Sequence, residues 1–210
     1  MPHQFSSLLF TDDIQDVQRE MGSRPANEKL TERGPENSTL GPMERDFISR
    51  RDGFYLATVG GTGWPYIQFR GGPAGFLHIL DDRTLAYADI TGNRQYISTG
   101  NLRSNARAAL FLMDYPHQAR LKLLADIEIF PWAKAPVWKT DLKIPERGRP
   151  ERVVLLHLAA FDWNCPQNIP QRWTIDELKQ TDLFKRIESL EEENQTLRTA
   201  LAKSQAPNKP

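Results

Sequence analysis

Residues 54–70, FYLATVGGTGWPYIQFR, decide the fold. Phe54-Tyr55-Leu56-Ala57-Thr58-Val59 is a short, continuous apolar and aromatic run, and residues 66–70 alternate between apolar and polar side chains. Between them lies Gly60-Gly61-Thr62-Gly63, too short for anything but a tight connection. Two strands joined this closely pair antiparallel, because a parallel crossover needs a dozen or more residues. The glycines invite comparison with a phosphate-binding loop. They lack the Gly-Lys-Ser/Thr ending and lead into a strand rather than a helix, so the reading is a hairpin turn.

Downstream, the same pattern repeats. Gly71-Gly72-Pro73 breaks the chain, residues 76–80 are apolar, Asp81-Asp82 turns, and residues 84–89 return. Residues 108–114, 121–130 and 152–160 complete six or seven strands in an antiparallel meander or barrel. One short helix, around residues 95–102, interrupts them. Upstream, Thr11 caps a first helix with Ile14, Val17 and Met21 on one face, stopped by Gly22. Residues 23–42, rich in charge, Pro and Gly, read as an extended surface linker. Met43, Phe47 and Ile48 then mark a short helix. The expected organisation is an N-terminal helix and linker over 1–42, a β domain over 43–173, and a helical tail over 174–210.

The tail opens on a capping box, with Thr174 as N-cap and Glu177 three residues on. Leu183, Ile187, Leu190, Asn194, Leu197 and Leu201 then step by four and three alternately, which is the a/d pattern of a coiled coil with Asn194 at an a position. An amphipathic helix docked on its own domain fits the same stripe, and both readings stand. A leucine-zipper DNA reader does not fit, since residues 170–184 offer only Arg172 and Lys179 as basic groups.

Composition narrows the function. Of 210 residues, 27 are Lys or Arg and 27 Asp or Glu, and this balance argues against a nucleic-acid or membrane-surface binder. No apolar run is long enough for a transmembrane helix. Met1-Pro2-His3-Gln4-Phe5 lacks a basic segment before an apolar core, so no secretory leader and a cytoplasmic location are expected. The single cysteine, Cys165, excludes an internal disulfide and has no neighbouring basic residue to make it a thiolate. The four histidines, His3, His78, His117 and His157, show no metal-ligand spacing, and no metal is expected. No catalytic residue can be assigned from spacing.

Two clusters carry chemistry. In Tyr66-Ile67-Gln68-Phe69-Arg70, Gln68 and Arg70 share one face of a strand. In Asp89-Ile90-Thr91-Gly92-Asn93-Arg94-Gln95-Tyr96, a strand end turns into a helix, where Asn93, Arg94 and Gln95 can offer amides and a guanidinium to an anion. Lys122, within Arg120-Leu121-Lys122-Leu123, adds another cationic strand position. Cations scattered over a β domain suit a phosphorylated cofactor better than nucleic acid.

Taken together, Phe54-Tyr55-Leu56-Ala57-Thr58-Val59, Gly63-Trp64-Pro65-Tyr66-Ile67-Gln68, Arg70-Gly71-Gly72-Pro73 and Gly92-Asn93-Arg94-Gln95-Tyr96-Ile97-Ser98 resemble the flavin split-barrel proteins related to pyridoxamine 5'-phosphate oxidase. Leu110-Phe111-Leu112-Met113-Asp114-Tyr115 and Phe161-Asp162-Trp163-Asn164-Cys165-Pro166-Gln167 extend the likeness, which covers most of residues 43–173. The resemblance implies a mainly β fold, a six-stranded antiparallel split barrel with flanking helices, that forms a homodimer and binds FMN between subunits. It places Arg94 at a phosphate-binding position with Asn93 and Gln95 beside it, Gln68 and Arg70 on the strand that meets the flavin, and Asp89 at the strand end near it. It also places Arg120 and Lys122 on a strand reaching the cofactor from the partner subunit, with Trp163 in a segment covering the ring. The oxidase proper ends in a signature of Trp and Arg-aliphatic-His-acid-Arg that holds pyridoxal phosphate, and this chain has none. Phe69 and Asn168 stand where relatives carry His. The resemblance therefore implies an FMN-dependent oxidoreductase acting on a small molecule other than a vitamin B6 phosphate. The alternative is a non-enzymatic flavin-binding or redox-sensing protein whose tail recruits a partner.

Overall fold

The structure is a computed structural model that describes residues 3–145, 147–163 and 166–204. Cys165 and residues 206–210 lie outside the described residues. The chain divides into two units, Met1–Asp114 with Gln118–Asn168, and Tyr115–His117 with Ile169–Pro210.

In the first unit, seven antiparallel strands form one sheet. They are β1 (Gly53–Val59), β2 (Pro65–Gly71), β3 (His78–Ile79), β4 (Thr84–Ile90), β5 (Arg107–Asp114), β6 (Ala119–Pro131) and β7 (Pro150–Trp163), in the order β2-β1-β5-β6-β7-β4-β3. The two-residue β3 is the strand beyond the expected six. The expected hairpin is present: Gly53 through Val59 pair with Gly71 back to Pro65, and Gly63 N–H donates to the Gly60 carbonyl at 2.9 Å. Gly60 is fixed by close approach, because a Cβ there would run into Asn101 Oδ1, whose amide donates to Thr58 Oγ1 at 3.1 Å.

Period-two alternation sorts the side chains. Phe54, Leu56, Leu110, Leu112, Leu121, Leu123 and Leu156 point inward and are buried, and Phe54 stacks on Phe76 with ring centroids 5.5 Å apart. On the outer face of β1 and β2, Tyr55, Val59, Ile67 and Phe69 stay exposed, and the Tyr55 and Phe69 rings meet edge-on across the ladder. Burying one Leu or Phe side chain is worth about 1.5–3 kcal/mol, so the inward set supplies the stabilisation.

Four helices precede the sheet: α1 (Gln4–Leu9), α2 (Asp12–Glu20), α3 (Arg24–Arg33) and α4 (Pro42–Ser49). Two expectations fail here. Residues 24–33, expected as extended linker, are helical: Pro25 occupies the first turn, where its missing N–H costs nothing, and Ala, Glu, Lys, Leu and Arg follow. The Ile14, Val17 and Met21 face of α2 is exposed, while Gln18 is buried. Gln18 instead receives the Ser23 backbone N–H on its carbonyl and an Arg24 N–H on its side chain, which tie α2 to α3. The stretch after α3 is anchored as well. Asn37 is buried, and its amide donates to the Phe161 carbonyl at 2.6 Å and lies 3.0 Å from His3 Nε2. After β4 comes α5 (Ile97–Ser104), starting two residues later than expected.

In the second unit, α6 (Ile175–Lys179) opens on the expected capping box: Glu177 N–H donates to Thr174 Oγ1 at 3.2 Å, and Thr174 N–H donates to Glu177 Oε2 at 2.8 Å. The 23-residue α7 (Asp182–Ser204) comes next. Arg172 lies over the Tyr115 ring, 5.1 Å from its centroid, and Gln171 Nε2 donates to the Pro116 carbonyl. No described helix is long and apolar enough to cross a membrane.

Candidate functional site

Arg70 and Asp89 meet although β2 and β4 stand at opposite ends of the sheet order. The sheet curls until Arg70 Nη1 lies 3.1 Å from Asp89 Oδ1. Asp89 is buried, and its other oxygen accepts from Arg152 Nε at 2.9 Å and Nη2 at 2.8 Å. Arg152 faces Asp89 directly across the β4–β7 ladder, and a bulge lies immediately beyond the pair, shifting Ile90 to pair with Pro150. Bulges of this kind bend a strand end and re-aim the adjoining chain.

Here the adjoining chain is the loop 91–96. Arg94 and Tyr96 adopt left-handed backbone angles, φ 60° and 54°, conformations that cost a non-glycine residue energy and persist where the surroundings hold them. Tyr96 is held on two sides: its hydroxyl donates to Glu151 Oε1 at 3.2 Å, and its ring lies 4.8 Å below the Arg152 guanidinium. Asn93 Oδ1 accepts the Gln95 backbone N–H at 3.2 Å, a local turn of the kind Asn side chains favour. Gln68 receives the Ser98 hydroxyl at 3.3 Å. These groups line one polar cleft between β2, the end of β4, the loop and the start of α5.

The cleft is built from donors. Arg94 is exposed and makes no ion pair among the described residues. Arg70 Nε is buried without a hydrogen-bond partner, leaving a donor whose desolvation is uncompensated, at a cost of about 1–3 kcal/mol. Burial works against the Arg152 charge, but the hydrogen bond and attraction from Asp89, with Glu151 and Tyr96 adding, hold its pKa above the usual value. Burial likewise pushes the Tyr87 phenol upward, against the opposing pull of Arg70. An orphaned guanidinium N–H, a free guanidinium and two side-chain amides fit a terminal phosphate, whose oxygens accept several charge-assisted hydrogen bonds.

Six of the residues singled out from sequence therefore share this cleft: Gln68, Arg70, Asp89, Asn93, Arg94 and Gln95. Three do not line it. Arg120 lies 5.9 Å over the Phe111 ring, Lys122 pairs with Asp162 at 2.8 Å and sits over Phe5, and Trp163 Nε1 donates to Glu44 Oε1 at 2.7 Å while its ring meets Phe47 edge-on. Sequence reasoning missed Arg152 and the holding roles of Tyr96 and Glu151. Arg152 begins an expected strand, but its partnership with Asp89 depends on a ladder register that no local pattern reveals.

A family model described as pyridoxamine 5'-phosphate oxidase matches residues 40–154. Similar solved structures include HupZ of Group A Streptococcus (18% identity, 64% of this chain and 99% of that chain, TM-score 0.47). A candidate pyridoxamine 5'-phosphate oxidase of Lactobacillus delbrueckii is another (23% identity, 60% and 94% covered, TM-score 0.47). An F420 reductase is a third (19% identity, 56% and 94% covered, TM-score 0.41). No curated protein matches the chain significantly. The family match spans more than half of the sequence and takes in the cleft from β2 to Arg152, and the chain belongs to the pyridoxamine 5'-phosphate oxidase family.

Proposed function

We propose that this chain is an FMN-dependent oxidoreductase that acts as a homodimer on a small organic substrate. The observation that carries the reading is the donor set of the cleft: Arg70 Nε buried without a partner, beside the unpaired Arg94 and the amides of Asn93 and Gln95. These residues would hold the terminal phosphate, and Gln68, positioned by Ser98, would face the ring. FMN, when bound, supplies two-electron redox chemistry. The chain's own part is to bind and orient it. Asp89 sits between Arg70 and Arg152 and holds both guanidinium groups in place at the edge of the cleft without their driving each other apart.

The homodimer reading is supported by the exposed Tyr55, Val59, Ile67 and Phe69 on the outer face of β1 and β2. A continuous apolar sheet face of this kind marks an interaction surface, and a second copy is the occupant the family resemblance supplies. In such a dimer, Arg120 and Lys122 would reach the cofactor of the partner subunit, and the segment containing Trp163 would cover the ring.

A second reading, flavin binding without turnover, has one observation in its favour. Among the described residues the cleft holds no histidine or cysteine, and its carboxylate Asp89 is engaged by two arginines. Titration of purified chain with FMN and with riboflavin tests the binding site. FMN binds far more tightly than riboflavin, and Arg94→Ala weakens FMN about tenfold or more, since one charge-assisted phosphate contact is worth about 1.5–3 kcal/mol. Equal FMN affinity in that variant removes Arg94 from the site. Reduction of the bound flavin by a nicotinamide donor with steady-state turnover separates the enzyme from the mere binder.

A further inference from the structure

The helix α7 carries a stripe of apolar side chains that face water: Leu183, Leu190 and Leu197 are 65%, 45% and 62% exposed, and Ile187 is 42% exposed. Most helical stability in proteins comes from packing an amphipathic face rather than from propensity, so a stripe this regular calls for a partner. The four-three spacing puts Leu183, Leu190 and Leu197 at d positions and Ile187, Asn194 and Leu201 at a positions. Leu at d, with a β-branched residue and a polar Asn among the a positions, is the combination that favours two strands, the Asn fixing the register. A groove along the helix, lined by Ile187, Leu190, Glu191, Asn194, Gln195 and Arg198, is where an opposing side chain would seat.

We propose that α7 pairs with α7 of a second copy as a parallel, in-register, two-stranded coiled coil. Charge decides the partner and the direction. In a parallel pair, each g residue faces the following e residue of the other helix. Arg186 at g then faces Glu191 at e, and Glu193 at g faces Arg198 at e. Both complete pairs are opposite in sign, and symmetry makes each of them twice. Reversing one helix with the stripes fully overlapped sets Glu191 against Glu191, Glu193 against Glu193, and Asn194 opposite Leu190. That arrangement gathers like charges at its centre and buries an amide against a leucine, whereas the parallel one pairs Asn194 with itself. The outer positions, Glu188, Glu192, Gln195 and Thr199, are polar and suit water.

Site-directed crosslinking in the full-length chain reads this helix whatever contacts form elsewhere. With Cys165 replaced by Ser, Asn194→Cys or Leu190→Cys places thiols facing each other, within the short Cα separation a disulfide requires. Glu192→Cys, on the outer face, is the control. Both inner variants link two chains under mild oxidation and the control does not. Adding Glu191→Arg sets it against Arg186 and slows linkage about fivefold, and Arg186→Glu together with Glu191→Arg restores the rate. Failure of both inner variants to link while the chain keeps its helical circular dichroism overturns the proposal in favour of docking within one chain or antiparallel pairing. Equal linkage at residue 192, or a rate indifferent to the charge swap, overturns it as well.

Discussion

Arg70 and Asp89 bridge the two sides of the open, curled sheet. Their side chains meet at 3.1 Å, although β2 is the first strand and β4 the sixth in the sheet order, and no ladder joins those strands. One buried carboxylate thus does two things: it holds the curled sheet together and fixes the two guanidinium groups that border the cleft.

Removing it leaves Arg70 without an ion-pair partner among the described residues and Arg152 with Glu151 alone. Breaking one side of a buried ion pair typically costs about 3–5 kcal/mol. Asp89→Ala lowers the urea midpoint by a correspondingly large step, and FMN affinity falls with it. Arg94→Ala, in an exposed loop, leaves the midpoint unchanged and alters affinity alone. Equal midpoints for Asp89→Ala and the parent chain would show that the ion pair does not hold the sheet ends.

Asp81 makes acid stability partly predictable. Its carboxylate accepts the Arg83 backbone N–H at 2.8 Å in the turn before β4, and this bond, outweighing the small effect of burial and assisted by Thr84 and Arg45, holds its pKa below the usual Asp range. A carboxyl with a lowered folded-state pKa stabilises the protein above its unfolded value and loses that contribution as pH falls through the folded value. Asp81→Ala therefore costs about 0.5–1 kcal/mol at neutral pH, the low end for a hydrogen bond because the site is exposed. The difference from the parent disappears in strong acid. A difference that persists unchanged at pH 2 would rule out the ionised carboxylate as its source.

The proposed homodimer would use the outer face of β1 and β2. Phe69→Asp introduces a charge into that face. In a chain that also lacks residues 182–210, so that α7 cannot pair, sedimentation is expected to show monomers with unchanged circular dichroism. Deleting residues 182–210 alone is expected to leave a dimer. A Phe69→Asp chain without residues 182–210 that remains dimeric at micromolar concentration would move the interface elsewhere.

Pyridoxine and pyridoxamine phosphates are expected to be poor substrates, because residues 1–210 contain no Arg-aliphatic-His-acid-Arg run like the one the resemblance assigns to holding pyridoxal phosphate. Turnover of either near about 1 s⁻¹, the lower end of ordinary enzyme rates, would overturn this.

Much of the barrel is legible in the sequence because its signals are local. Residues 54–70 alternate and turn within a few residues, and the Thr174–Glu177 box identifies a helix start from adjacent side chains. The loop after Asp89 stands out for the same reason: a strand end running into Asn, Arg and Gln concentrates donors wherever the strand finishes. The features that escape depend on distant partners. Asn37 looks like a polar loop residue until Phe161 and His3 surround it. Arg152 looks like a strand opener until the β4–β7 register sets it against Asp89, and the bulge beside that pair is invisible without the ladder. Helix α3 escapes for another reason: its charges and proline look like linker, although proline in a first turn is compatible with helix.

The most direct test is the identity of the cofactor carried by the purified full-length chain. The expected result is a yellow protein with a flavin absorption spectrum that on denaturation releases FMN, about one per subunit, with much less retained by Arg94→Ala. A chain that is colourless and takes up no added FMN, or that releases haem, a deazaflavin, FAD or riboflavin instead, would contradict the assignment of this cleft to a terminal phosphate.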